Sequence, residues 1–213
     1  MFKILIADDH ALFREGLKQI LHENIDDVLS DEASNGYEVI DKISETDYDI
    51  LLLDIAMPGL SGLDVLKQLR IKRPKLQVLV LSMYPEGQYA VRAIKAGAAG
   101  YLTKRSASDE LIEAIKKVSH GGTYVTAEIA EKLMFDLKPD SNKPPHELLS
   151  DREFQIFCMI ASGKTVGTIA DELNLSVKTV STHRVHILEK MKMKNNAELT
   201  NYAIKFQIIN LTD

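Results

Sequence analysis

Residues 50–54 read Ile-Leu-Leu-Leu-Asp, four apolar side chains in a row that close on a carboxylate. The same kind of short apolar run recurs at Phe2–Ala7 (FKILIA), Leu29–Ala33, Gln77–Ser82 and Ala99–Leu102. Between these runs lie segments of helical period at Ala11–His22, Gly36–Ser44, Ser61–Ile71, Glu86–Ala96 and Ser106–His120. Ser61 and Ser106 suit helix N-caps, and Gly97 suits a helix stop. Strand-like runs alternating with helical ones predict βαβ units, here an α/β flavodoxin-like five-stranded parallel sheet. Ligands of such a sheet lie outside the carboxyl ends of its strands.

After Gly121-Gly122 a helix is predicted over Thr126–Leu137, and the prolines and polar residues of Lys138–His146 (KPDSNKPPH) mark a linker. From Leu149 the pattern is all-helical. Ser150 with Glu153 forms a capping box, and Asn195 with Glu198 resembles a second. The expected division is an α/β domain over residues 1–122, a helix plus flexible linker over 123–148, and an all-α four-helix domain over 149–213.

The 213 residues, 45% hydrophobic and 27% charged, are ordinary for two globular domains and exclude a disordered, collagenous or disulfide-scaffold chain. The single cysteine, Cys158, lies in an apolar stretch and reads as a small core residue. The N-terminus enters a strand and then acidic residues, unlike a signal peptide, and no apolar run nears the ~20 residues that span a bilayer. A soluble, cytoplasmic protein with no membrane partner is expected. Residues 1–138 hold 17 Lys and Arg against 22 Asp and Glu, whereas residues 139–213 hold 9 of each. Within Ser176–Lys194, however, Lys178, Arg184, Lys190, Lys192 and Lys194 face Glu189 alone. An acidic first part and a locally basic C-terminal helix point to different partners.

Three carboxylates fall at strand ends: Asp8 and Asp9 after the first strand, Asp54 at the end of the third. Neighbouring strands of a parallel sheet bring them into one crevice, where like charges need a cation. A hard divalent ion with oxygen ligands, Mg²⁺, suits them. Ser82 closes the fourth strand with a hydroxyl, and Lys104 follows the fifth with an ammonium. Carboxylates, metal, hydroxyl and lysine together suit the holding of a phosphoryl group, with Asp54 as the nucleophile.

With Asp8-Asp9, Asp54, the loop MPGLSG (Met57–Gly62), Ser82, Tyr101 and Lys104 in place, residues 1–120 resemble the receiver domain of two-component response regulators. That resemblance implies that Asp54 accepts a phosphoryl group from a sensor histidine kinase. It implies Mg²⁺ bound by Asp8, Asp9, Asp54 and the backbone carbonyl of Ala56. It further implies that Ser82 and Tyr101 rearrange around the phosphate and alter the face formed by the fourth helix, fifth strand and fifth helix. Arg105 stands where many receivers carry proline, which makes a cis bond there costly. Ala56 and Tyr84, at positions that tune phosphate lifetime in the family, are neither acidic nor amides, so slow self-dephosphorylation is expected.

In the C-terminal part, Thr165–Leu173, a turn at Asn174-Leu175 and Ser176–Met191 have the spacing of a helix-turn-helix. The second helix offers Lys178, Thr179, Ser181, Thr182 and Arg184 to phosphates or base edges. On these residues alone a helical hairpin for protein contacts stays open. The segments Leu149–Phe157, Ile169–Met191 and Asn195–Ala203 resemble the LuxR-type helix-turn-helix of NarL/FixJ response regulators. By that likeness Ser181, Thr182 and Val185 face the major groove of double-stranded promoter DNA, and Lys178, Thr179, Arg184 and Lys190 meet its backbone. His183 reads as a packed or phosphate-contacting residue, and His10 as a helix-start residue beside the acidic pocket.

The expected protein is a phosphorylation-dependent transcriptional regulator, a homodimer when phosphorylated or on DNA. It is not an enzyme turning over a separate substrate. A phosphohydrolase built on Asp54 is the rival from another class, and Ala56 leaves it without a positioned acid or base.

Overall fold

The computed structural model describes residues 1–84, 88–106, 108–136, 144–206 and 208–209. The chain divides into two compact units, Met1–Lys132 and Leu133–Asp213.

In the first unit, strands β1 (Phe2–Ala7), β2 (Val28–Ala33), β3 (Ile50–Asp54), β4 (Gln77–Ser82) and β5 (Gly100–Thr103) form one parallel sheet in the order β2-β1-β3-β4-β5. Helices α1 (Ala11–Asn24), α2 (Gly36–Glu45), α3 (Gly62–Lys72), α4 (Gln88–Ala96) and α5 (Ser108–Ser119) connect and follow the strands. All five residues of β3 are buried, as an inner strand covered on both faces requires. Ile4, Ile6, Ile50, Leu52, Leu79 and Leu81 pack with Leu17 and Leu21 of α1 and Leu111, Ile112 and Ile115 of α5. The alternate positions Leu5, Leu51, Leu53 and Val80 are equally buried. Register then decides where chemistry collects: Ala7 pairs with Leu53, Asp54 with Leu81, and Ser82 with Thr103. The residues that end β1, β3, β4 and β5 share one edge of the sheet.

The predicted five-stranded order is the observed one. β1, β3 and β4 keep their predicted bounds, β2 begins one residue earlier and β5 lies one residue later. Ser61 caps α3 by accepting the Asp64 N–H, and Gly97, at φ 108°, ends α4. The fourth helix, expected from Glu86, is described from Gln88, and residues 85–87 lie outside the described residues. Ser106 does not directly precede α5, which opens at Ser108. Its hydroxyl meets that of Thr103 at 3.3 Å, and position 107 is outside the described residues.

One pairing has no local signal. Tyr124 forms a bridge to Gly100, donating its N–H to Ala99 O (2.8 Å) while its carbonyl accepts from Tyr101 N (3.3 Å). A Cβ at Gly100 would stand 2.8 Å from the Tyr124 oxygen, so glycine permits the close approach. The bridge covers part of the β5 edge, which would otherwise present unpaired backbone groups.

Helix α6 (Ala127–Asp136) follows; Leu137, its predicted end, and residues 138–143 of the predicted linker lie outside the described residues. In the second unit a 3₁₀ turn (Pro145–Leu148) leads to α7 (Asp151–Ala161), α8 (Val166–Glu172), α9 (Val177–Met191) and α10 (Asn196–Lys205). Its core is Phe154, Phe157 and Ile160 with Ile169, Val180, Ile187 and Leu199. His146, expected in the linker, is buried, with Nδ1 2.7 Å from the Tyr202 hydroxyl and aromatic contacts to Phe154 and Phe206. The turn between α8 and α9 passes through Asn174 at φ 53°, a left-handed conformation that asparagine tolerates. Asn195 caps α10 by accepting the Glu198 N–H, but the Glu198 carboxylate turns to the Lys194 N–H, so this second box is incomplete.

The Ser150–Glu153 capping box is complete, and it does more than close α7. Both Glu153 oxygens also accept from Lys190 Nζ on α9, at 2.9 and 2.6 Å. Burial raises the Glu153 carboxyl, but the Lys190 ammonium and the Ser150 N–H and hydroxyl outweigh it and hold the group below the usual carboxylate range. Glu153→Ala is therefore expected to destabilise the second unit by about 2 kcal/mol, the sum of a lost cap and a lost charged hydrogen bond. Because the folded-state pKa is lowered, this contribution is present above the unfolded carboxylate's titration and disappears as pH falls through the folded value. Urea titrations followed by helical circular dichroism should show wild type and variant converging on acidification.

Candidate functional site

Asp54 ends β3 with its side chain inside the sheet's edge, 2% exposed. Its Oδ1 accepts the Ala56 N–H at 3.0 Å, and its Oδ2 accepts from Lys104 Nζ at 2.7 Å. The same ammonium reaches Asp8 Oδ2 at 2.5 Å, and the Lys104 side chain is 4% exposed. Asp9 stands beside them, partly exposed. Burial is the largest influence on Asp54 and pushes its carboxyl upward; Lys104 opposes this, Asp8 reinforces it, and the net direction is up. Burial alone would lower Lys104, but the charges and hydrogen bonds of Asp54 and Asp8 hold its ammonium above the ordinary range. Three carboxylates around one ammonium leave the pocket with an unbalanced negative charge.

Ser82 is fully buried at the end of β4. Its carbonyl accepts the Lys104 N–H at 2.8 Å, and its hydroxyl accepts the Tyr84 N–H at 3.2 Å. Tyr101, also fully buried, donates its hydroxyl to the Tyr84 carbonyl at 2.9 Å. The structure thus brings together Asp8, Asp9, Asp54 and Lys104 directly, and joins Ser82 and Tyr101 to them through main-chain bonds. Ala56 enters through its N–H to Asp54. The described residues contain no cis peptide bond, and Lys104–Arg105 is trans.

On α9, Lys178, Ser181, Thr182 and Val185 are exposed at a helical i, i+3, i+4, i+7 spacing. Thr179 is exposed too, with its hydroxyl 2.8 Å from that of Ser176, the N-cap of the helix. Thr182 donates its hydroxyl to the Lys178 carbonyl, and Arg184 Nε donates to Asn196 Oδ1 at 2.7 Å. Lys190 differs from the rest of the set, since its ammonium is held by Glu153 within the domain. Burial holds the His183 ring below its ordinary pKa, with Glu153 pulling the other way and Arg152, His186 and Lys190 adding to the depression.

Residues 4–116 match the family model described as the response regulator receiver domain. Residues 147–203 match that of the bacterial regulatory proteins of the luxR family. The chain belongs to the NarL/FixJ response regulators. It is 35% identical over 210 residues to the response regulator GacA of Pseudomonas syringae pv. syringae (strain B728a), covering 98% of each chain. It is 33% identical over 211 residues to the response regulator UvrY of Escherichia coli (strain K12), covering 99% of this chain and 97% of that one. Among solved structures it resembles RcsB from Salmonella enterica serovar Typhimurium, bound to promoter rprA in the presence of the phosphomimetic BeF₃⁻. That likeness has 25% identity and a TM-score of 0.64, covering 95% of this chain and 98% of the other.

The receiver family implies a divalent cation, and the donor set of this regulator fits one. Carboxylate oxygens of Asp8, Asp9 and Asp54, with a ring nitrogen of His10, lie within 4.8 Å of one another. Hard oxygen donors with a surplus of buried negative charge are what Mg²⁺ sites offer.

Sequence reasoning missed Arg14. Its Nη1 donates to the Asp8 carbonyl at 2.7 Å and its Nε to Glu32 at 2.6 Å, so it pins the end of β1 to α1 and β2. Helical periodicity reads it as one more polar-face residue, and nothing local reveals its partners. The sequence pattern shows Gly62 only as the junction of a loop and a helix, yet a Cβ there would lie 2.2 Å from the Asp54 carbonyl oxygen and 2.8 Å from Ile55 Cα. Gly62→Ala is expected to lower the stability of the receiver unit by at least about 2 kcal/mol through overpacking. Gly16→Ala in α1, with nothing within 4 Å of its Cβ, should be neutral or stabilising by up to about 1 kcal/mol. Denaturant midpoints of the two variants provide the comparison.

Proposed function

We propose that this regulator receives a phosphoryl group on Asp54 from a sensor histidine kinase and, so modified, pairs with a second copy to bind promoter DNA through α9. The observation that carries the reading is the placement of Lys104 Nζ against both Asp54 Oδ2 and Asp8 in a pocket at the strand ends. An ammonium there can move from the Asp54 carboxylate to an oxygen of the phosphoryl group that replaces its charge. Asp8, Asp9, Asp54 and the Ala56 carbonyl are the proposed holders of Mg²⁺, which when bound neutralises charge on the transferring phosphoryl group. Asp54 Oδ1, already oriented by the Ala56 N–H while Oδ2 is held by Lys104, is the proposed attacking atom. Ser82 is the proposed hydroxyl partner of the phosphate, and Tyr101 the residue that responds through Tyr84. No acid or amide stands at Ala56 or Tyr84 to orient a hydrolytic water, so the group is expected to persist and the protein to act once per phosphorylation.

Related solved structures support the DNA half of the reading. RcsB has been captured on promoter DNA with BeF₃⁻ and, separately, as two dimers bound to two parallel DNAs. On α9 the exposed Ser181, Thr182 and Val185 are the proposed base-facing set, with Lys178, Thr179, Arg184 and Lys190 toward phosphates. None of the described helices is long and apolar enough to cross a membrane, and a DNA-binding regulator works in the cytoplasm. The expected domain limits are 1–122, 123–148 and 149–213, with the family matches falling inside the first and near the last.

The deciding experiment selects genomic DNA fragments with protein treated with acyl phosphate and Mg²⁺, using Asp54→Asn as the control. Fragments should be enriched by the treated wild type and not by the variant; equal recovery would refute phosphorylation control. A second measurement concerns charge. Arg184→Ala should weaken binding to all fragments alike and reduce the slope of log affinity against log salt by about one, whereas an unchanged slope would remove Arg184 from the phosphate contacts.

A further inference from the structure

His10 directly precedes α1, a position where Ser, Thr, Asp or Asn usually spends its side chain on a cap. Here the side chain makes no capping hydrogen bond. The ring turns back toward the pocket instead, with Nδ1 2.9 Å from an Asp9 oxygen and 3.2 Å from an Asp8 oxygen. Its own N–H donates to Asp8 Oδ1 at 2.9 Å, so the main chain fixes where the ring begins. One ligand-capable atom each of Asp8, Asp9, His10 and Asp54 lies within 4.8 Å of the other three. The ring is 67% exposed, so its use as a donor at the mouth of the pocket costs little desolvation.

We propose that His10 contributes an imidazole nitrogen to the divalent cation held by Asp8, Asp9 and Asp54, so that the pocket favours Mn²⁺ over Mg²⁺. The inference rests on the cation reading given above. Mg²⁺ is hard, prefers oxygen and gives up water reluctantly. First-row transition ions accept imidazole, and Mn²⁺ is the member of that series that also suits a carboxylate-rich site. A nitrogen donor therefore adds affinity for Mn²⁺ and little for Mg²⁺. The competing arrangement keeps His10 as an outer hydrogen-bond partner that orients the carboxylates, with no metal–nitrogen bond.

Pulsed electron paramagnetic resonance of Mn²⁺ bound to the full chain separates the two. The expected result is a ¹⁴N coupling of directly bound imidazole in wild type that is lost in His10→Gln. Mn²⁺ titrations should show about a 10-fold weaker affinity in the variant, with the Mg²⁺ affinity, from competition, changed less than about twofold. Mn²⁺ that binds with no imidazole coupling overturns the metal–nitrogen bond whatever the affinity of the variant, a weaker variant then marking His10 as an outer partner only, and leaves the carboxylate site standing. Mn²⁺ binding that is undetectable, or unaffected by Asp9→Asn, overturns the cation reading and this inference with it.

Discussion

A single ammonium holds the receiver unit's functional edge together. Lys104 Nζ lies between Asp54 and Asp8, side chains that are themselves almost wholly buried. Removing one partner from such a cluster leaves an uncompensated charge away from water, which is far costlier than any surface pair. The sheet must therefore keep the ends of β1, β3 and β5 in register, and the loops that follow must close over the same point. Arg14, Gly62 and the Ala56 N–H serve that end: one pins β1, one lets the loop after β3 pass close to the strand, one orients the carboxylate.

From the main chain of the same lysine a set of hydrogen bonds runs outward. Lys104 N–H meets Ser82 O, the Ser82 hydroxyl meets Tyr84 N–H, Tyr84 O meets the Tyr101 hydroxyl, and Tyr101 N–H meets Tyr124 O. Tyr124 lies in the segment between α5 and α6. In the proposed switch a phosphoryl group on Asp54 gives the Lys104 ammonium a new partner, at the residue whose main chain begins this set. Contiguity alone does not make a pathway, yet every link has one end in Ser82 or Tyr101, both fully buried. The DNA-binding unit adds a complementary constraint. Its net charge is zero over residues 139–213, Lys190 is held by Glu153 and Arg184 shares its guanidinium with Asn196. One copy thus offers a DNA backbone the exposed Lys178, Lys192 and Lys194 at once, and Arg184 and Lys190 only by exchanging these partners. Two copies double that footprint, which makes pairing a natural place for a phosphorylation signal to act. A full reversal of a 1:99 equilibrium needs roughly 5.5 kcal/mol.

What could be read from the sequence follows from how local each determinant is. Ile50–Asp54 and Gln77–Ser82 are unbroken apolar runs closed by a polar residue, and both strands have the bounds that pattern predicts. The edge strand β2 alternates buried and exposed residues, VLSDEA, and its start was less distinct. β5 has four residues, and its glycine answers to Tyr124, 24 positions away, so its limits depend on a distant partner. The capping box at Ser150 is local and was legible. The grip of the same Glu153 on Lys190 spans 37 positions and was not. At the candidate site, residue types at strand ends point to Asp8, Asp9, Asp54, Ser82 and Lys104, and the assembled sheet places them at one end of its strands. Which oxygen faces which donor, and the supporting Arg14, required the assembled sheet. His146 shows the limit clearly: prolines around it read as linker, while its ring is enclosed by Phe154, Tyr202 and Phe206.

The position of Asp54 follows from the sheet itself. One residue earlier stands Leu53, fully buried between neighbouring strands; a carboxylate there would have no room for a counter-charge and would take up a proton. Two residues later the chain has left the strand for the loop over which Gly62 closes. A carboxylate on an open loop lies in high dielectric, where a change of charge is screened and displaces little. Asp54 occupies the position between, buried enough for its charge to be felt by Lys104 and Asp8 and close enough to the edge to meet a donor. A parallel sheet covered on both faces offers such positions at the ends of its inner strands. In the proposed switch, the residue that converts a change of charge into a change of structure is therefore found where the apolar run of β3 stops.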